Sequence, residues 1–163
     1  MNRGFLILFC IAGLALSSCR RGVLYQKYIT IPDHTWTVKD TVSFNVPVSA
    51  EDTAAVYDVS INVRNSDNYD FSNLYLFIDV TNPAHQTERD TFEYPLATDA
   101  GKWLGRGLGD IWDNKCHFKL NKHLSKGEYK FTFQQAMRVD KLPGIMDVGL
   151  TIEKSPSVRT KTN

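Results

Sequence analysis

The fold class predicted for this chain is all-β, an antiparallel β-sandwich, and three observations predict it. Apolar and polar residues alternate through five separate stretches, the period of a half-buried strand. Those stretches are rich in β-branched and aromatic side chains, which suit a pleated surface. No segment carries a convincing 3.6-residue repeat, so a second sheet must cover the apolar faces of the first. The expected architecture is one domain of immunoglobulin-like or jelly-roll type, with the strand order left open.

The strands can be taken in order. Val42, Phe44, Val46 and Val48 share a face, with Ser43 and Asn45 on the other. Tyr57, Val59, Ile61 and Val63 alternate with Asp58, Ser60, Asn62 and Arg64. Leu74, Leu76, Ile78 and Val80 repeat the pattern, followed by Tyr129, Phe131 and Phe133, then Val148, Leu150 and Ile152. Tyr25 to Ile31, Glu88 to Tyr94 and Lys115 to Leu120 are fainter and bring the count to about eight. Turn chemistry separates them: Ser66-Asp67-Asn68-Tyr69-Asp70, Asn82-Pro83 and Lys126-Gly127. Leu104 to Asn114 is the one stretch with room for a short helix.

The first nineteen residues read as a lipoprotein signal peptide. Arg3 supplies a positive start, and Gly4 to Leu16 is apolar throughout. That run is shorter than the ~20 residues that span a bilayer, and it suits a signal-peptide core. Leu16-Ser17-Ser18-Cys19 follows: a branched apolar residue, two small ones and a cysteine. This is what lipoprotein signal peptidase accepts once a diacylglyceryl group is on the thiol, and no A-x-A-like secretory site competes. Residues 1–18 are therefore the expected leader, and Cys19 the lipidated residue. Each buried methylene contributes about 0.8 kcal/mol, so two or three acyl chains hold a protein effectively permanently. Residues 19–24 form a short tether, 25–153 the sandwich and 154–163 a polar tail with Pro156.

Composition narrows the function classes. Without the 18-residue leader, 145 of the 163 residues remain, one domain of ordinary size. The leader takes Arg3 and no acid, leaving 18 basic against 18 acidic residues. A neutral chain lacks the basic footprint that nucleic acid requires. Cys10 leaves with the leader, so Cys116 has no partner within the chain for a disulfide. It is either buried and inert or paired with another molecule, and its parity with Phe118 and Leu120 favours burial.

Catalytic patterns are hard to find. Histidines 34, 85, 117 and 123 form no HExxH or other close ligand pair. Asp67-Asn68-Tyr69-Asp70 does not match an EF-hand loop. No serine has a G-x-S-x-G setting, and no carboxylate pair stands out for acid–base work. The expectation is a protein that is not an enzyme, with no cofactor, metal or small-molecule substrate. Trp36, Trp103 and Trp112 are expected in core or loop packing, a sugar-stacking platform being the other possibility.

The conspicuous segment runs from Gly101 to Asp110, Gly-Lys-Trp-Leu-Gly-Arg-Gly-Leu-Gly-Asp. A Walker loop needs Ser or Thr after Gly-Lys, where Trp103 stands, and the G-x-G-x-x-G spacing fails at its last glycine. Two readings remain. It is a partner-contact loop presenting Lys102, Trp103, Arg106 and Asp110, since Trp and Arg commonly anchor interfaces. Or it is a packing element, with Trp103 and Leu104 plugging one end of the core and the glycines permitting the turns.

Several short motifs recur in one known family. They are Tyr25-x-x-Tyr28-x-x-Ile31-Pro32 with Trp36, Val63-Arg64-Asn65 with Tyr69, and Gly101-Lys102-Trp103-Leu104-Gly105 with Gly109-Asp110. Gln135-Ala136-Met137-Arg138 and Gly144-Ile145-Met146-Asp147-Val148-Gly149-Leu150 complete the set. In these the chain resembles the gliding motility-associated lipoprotein GldH family of the Bacteroidota, over nearly the whole mature length. The resemblance implies an accessory envelope lipoprotein of the gliding machinery, tied to type IX secretion and acting on unidentified protein subunits. It transfers only the lipidated cysteine, onto Cys19. A second class is an envelope glycan-binding lipoprotein of a nutrient-uptake system. Surface-exported lipoproteins of such bacteria typically carry acids just after the cysteine, whereas Arg20-Arg21 stands here. That favours an outer-membrane anchor facing the periplasm.

Overall fold

The computed structural model describes residues 22–156. Cys19, the leader and most of the polar tail lie outside the described residues. Eleven strands occur among those described: β1 (Val23–Thr30), β2 (Thr35–Thr37), β3 (Thr41–Val48), β4 (Val56–Ser66), β5 (Asn73–Thr81), β6 (Thr87–Pro95), β7 (Arg106–Leu108), β8 (Ile111–His123), β9 (Gly127–Gln135), β10 (Lys141–Pro143) and β11 (Ile145–Lys154). They form a five-stranded sheet of order β1-β11-β4-β8-β7, a four-stranded sheet β3-β9-β5-β6 and a β2–β10 ribbon. Every pairing is antiparallel. The all-β sandwich expected from the alternation is what the chain forms.

The alternating positions become the core. Val59, Ile61 and Val63 of β4 stand opposite Ile152, Leu150 and Val148 of β11, and all six are buried. From the other sheet come Val42, Phe44, Phe133, Leu74, Leu76 and Ile78, with the Phe44 and Phe133 rings 5.4 Å apart. Trp36 of the ribbon is buried, its Nε1 donating to the Asp40 carbonyl at 2.9 Å. Gln135 is a buried amide with both ends satisfied. It donates to the Val139 carbonyl at 2.9 Å and accepts the Met137 N–H at 2.8 Å, which accounts for the glutamine that opens the Gln135 to Arg138 motif.

Strand edges invite pairing with other chains, and these are defended. On β1, Lys27 stands on the core-facing register opposite Leu150 yet remains exposed, a charge aimed inward at the edge. Pro47 interrupts the edge strand β3. The long edge of β8 is bulged where it passes Val59.

Three expectations change. Leu104 to Asn114 holds no helix; it contains β7, a tight turn and the start of β8. Its leucine and tryptophan spacing imitates a helical face, but the glycines between allow a hairpin. Cys116 is only half-buried, because it lies on β8 beyond the reach of β7. Leu120, expected to share the buried parity of Cys116 and Phe118, is 53% exposed, since the β8 bulge shifts the register between them.

Candidate functional site

The Gly101–Asp110 segment folds as two successive hairpins at one end of the sandwich. In the first, the Thr98 N–H donates to the Lys102 carbonyl and the Gly101 N–H to the Thr98 carbonyl, both at 2.8 Å. Gly101 has φ +76, and Trp103 bridges back to Ala97. In the second, Arg106, Gly107 and Leu108 pair with Asp113, Trp112 and Ile111, leaving Gly109-Asp110 as a two-residue turn. Gly109 has φ +65, the left-handed backbone such a turn favours at its first position.

The inner glycines serve close packing rather than phosphate. A Cβ on Gly107 would lie 2.6 Å from the Trp112 ring, and one on Gly105 would lie 2.7 Å from the Asp113 carbonyl and the Asn114 amide. Trp112 is thus laid flat against β7, with Trp103 beside it at 6.4 Å and its Nε1 donating to Asp67 at 2.5 Å. The Asp67 N–H in turn donates to the Asp110 carbonyl at 2.9 Å. These contacts make the hairpin pair a fixed feature.

On this frame the four expected site residues separate. Trp103 is half-buried against the core, whereas Lys102, Arg106 and Asp110 project into solvent. No ion pair joins any of those three among the described residues. Leu104 does not plug the core: it is 54% exposed, because its backbone pairs with Leu96 while its side chain turns out. Leu108 is 87% exposed. Two apolar side chains and an unpaired guanidinium therefore occupy one rigid projection.

Sequence reading placed Asp58, Ser60, Asn62 and Arg64 on the outer face of the five-stranded sheet but missed the polar network they form there. Arg64 on β4 donates from Nε to Asp113 at 2.6 Å and from Nη1 to Asp147 at 2.9 Å. Thr30 donates to the other Asp147 oxygen at 2.7 Å. The Asp113 hydrogen bond, with both carboxylate charges, pushes the Arg64 pKa further up despite partial burial. Asn62 donates to Thr151 at 2.7 Å, Ser60 lies 3.1 Å from His117 Nδ1, and Lys115 pairs with Glu153. Burial opposes ionisation of Asp58, but the Ser155 hydroxyl, the Asn121 N–H and the charges of His117 and Lys115 hold its carboxyl below the usual range. A depression of about 870 Å³ curves from this face over the β8 edge, past Gly105, Arg106 and Cys116. Burial pushes the Cys116 thiol up, which keeps it protonated and a weak nucleophile.

Three further motif residues are explained by contact. Gly144, at φ +87, lies so close to the Tyr69 backbone that a Cβ would approach within 2.8 Å. Gly149 lies under the Tyr28 ring. Asn65 is buried and accepts from Asn114 at 2.9 Å. Among the described residues, no cluster of three or more His, Cys, Asp or Glu side chains could hold a metal.

Fold and site together define a class: a β-sandwich domain whose distinctive residues shape one end and stitch one polar face. The family model described as GldH lipoprotein matches residues 23–152. A gliding motility lipoprotein GldH homolog of Christiangramia forsetii is 38% identical, covering 93% of this chain and 94% of its own. Gliding motility lipoprotein GldH of Flavobacterium johnsoniae is 34% identical, covering 94% and 96%. An exo-β-1,3-galactanase structure from Phanerochaete chrysosporium shares 13% identity at a TM-score of 0.38, with this chain spanning 27% of it. The chain belongs to the GldH lipoprotein family. It is a membrane-anchored cell-envelope lipoprotein of the gliding-motility type.

Proposed function

We propose that this protein is a non-catalytic accessory subunit of the gliding and type IX secretion machinery. Signal cleavage after residue 18 leaves Cys19 to carry the lipid, and residues 19–24 tether the domain to the outer membrane on its periplasmic side. The basic pair Arg20-Arg21 supports that side. The domain acts by contact with other protein subunits and uses no cofactor, metal, nucleic acid or small-molecule substrate.

The observation that carries the contact reading is the exposure of Leu108 beside Arg106 on the braced β7–β8 hairpin, with Leu104 exposed on the segment that leads into it. Exposed apolar side chains on a fixed scaffold favour docking, and a neighbouring guanidinium adds an anchor. The non-catalytic reading is supported by the relatives, which are described as motility lipoproteins.

Labelled palmitate and affinity purification from native membranes test the two halves. Cys19→Ala should abolish palmitate incorporation, because only the thiol forms the thioether; normal labelling of the variant contradicts the anchor. The lipidated protein should co-purify with machinery subunits. Recovery of none, together with micromolar binding on an oligosaccharide array, would move the protein to the glycan-binding class.

A further inference from the structure

The two ends of the sandwich are not equivalent with respect to the tether. The Lys154 N–H donates to the Gly22 carbonyl at 2.7 Å, so the chain is fixed to the body from Gly22 onward. Only three Cα steps separate Gly22 from Cys19, a reach of at most ~11 Å. At the same end, the Ser155 N–H donates to the Val56 carbonyl, Val56 stands opposite His123, and Val48 stands opposite Gly127. The β5–β6 turn, where Thr81 pairs with Thr87, belongs there too, because Thr81 stands opposite Lys130 near the start of β9. At the opposite end of β4, Ser66 stands opposite Ile111, and Asp67 bonds to Asp110 in the hairpin turn. Ten strand steps from Val56 to Ser66 span about 33 Å.

We infer that the domain stands on the membrane surface on its β8–β9 turn end and holds the Leu108 hairpin about 30 Å above the headgroups. The partner for the near end is the headgroup surface of the membrane that holds the Cys19 anchor. Lys122, Lys126 and Lys154 are exposed around that end. Glu51, Asp52 and Glu128 balance them, Asp52 being kept a carboxylate by the Ser49 hydroxyl at 2.6 Å, so this end is polar and close to neutral, as a headgroup-facing surface can be. The orientation rests on the Cys19 anchor proposed above. It makes the hairpin available to a protein in the periplasmic space rather than to one lying in the bilayer.

Energy transfer to a lipid-borne dye tests it. The lipidated full-length protein in a Cys116→Ala background is reconstituted into phosphatidylethanolamine–phosphatidylglycerol vesicles bearing a headgroup acceptor. A donor is attached at Lys126→Cys or Ala84→Cys for the near end, and at Leu108→Cys or Leu104→Cys for the far end. Transfer should be several-fold stronger from both near positions than from both far ones. Protein that floats with the vesicles yet gives equal or reversed transfer overturns the orientation alone. Protein that fails to float overturns the anchor and the orientation together.

Discussion

Arg64 and Asp147 meet across adjacent strands β4 and β11, Nη1 donating to Oδ2 at 2.9 Å, with the aspartate side chain only 13% exposed. Through Thr30 the same carboxylate reaches β1, and through Asp113 the same guanidinium reaches β8. Four strands are stitched by one polar chain. Asp147→Ala should therefore lower stability by about 1–3 kcal/mol, the cost of taking the more buried of two acceptors from Arg64 and the acceptor from Thr30. Asp113→Ala, at an exposed pair, should cost less than about 1 kcal/mol. Urea titrations of the two variants check this, and equal losses would mean that burial of the pair is not what matters.

Two glycines with left-handed backbone should respond differently to a methyl group. Gly101 has φ +76 with open space around it, so Gly101→Ala should cost only about 1 kcal/mol of backbone strain. Gly144 has similar backbone, but a Cβ there would lie 2.8 Å from the Tyr69 main chain, so Gly144→Ala should cost ~3 kcal/mol or more. Thermal unfolding of both variants, with calorimetric enthalpies, measures the difference.

How much of this was legible beforehand depends on what alternation can encode. The runs at Val42, Tyr57, Leu74, Tyr129 and Val148 are long and strictly period-two, and they became β3, β4, β5, β9 and β11. The β7–β8 hairpin escaped because Leu104, Leu108, Ile111 and Trp112 fall at helical spacing, while the steric roles of Gly105 and Gly107 emerge only from packing. The three-residue strands β2 and β10 are too short to show a period. Alternation assigned Asp58, Ser60, Asn62 and Arg64 to the outer face, but not their partners. Those partners lie on β8, on β11 and just beyond it, up to 97 residues away in sequence, and no local pattern links them.

Acid should weaken the fold through Asp58. Its pKa in the folded protein is lowered, so its stabilising contribution is complete above the unfolded value of about 3.9. That contribution is lost as pH falls below about 4 through the lower folded value. Unfolding free energies measured across that window should fall less steeply for Asp58→Asn than for the parent protein. Parallel curves would show that the Ser155 and Asn121 contacts do not favour the charged form.

Stability and contact should separate within the hairpin. Trp103→Ala removes a half-buried ring packed on Trp112 and should cost about 2 kcal/mol, below the range of fully buried tryptophans. Arg106→Ala and Leu108→Asp touch exposed side chains and should stay within about 0.5 kcal/mol of the parent. Recovery of machinery subunits from native membranes should nevertheless drop for both. A loss of stability at Arg106 would assign that residue to packing.

Site-specific photo-crosslinking in living cells tests the contact claim most directly. A benzoylphenylalanine in place of Leu108 should give a discrete adduct with one envelope protein of the motility and secretion machinery. The same group in place of Thr91, exposed on the opposite sheet, should give none. An adduct from Thr91 with silence from Leu108, or silence from both in cells that retain the lipidated protein, would contradict the account.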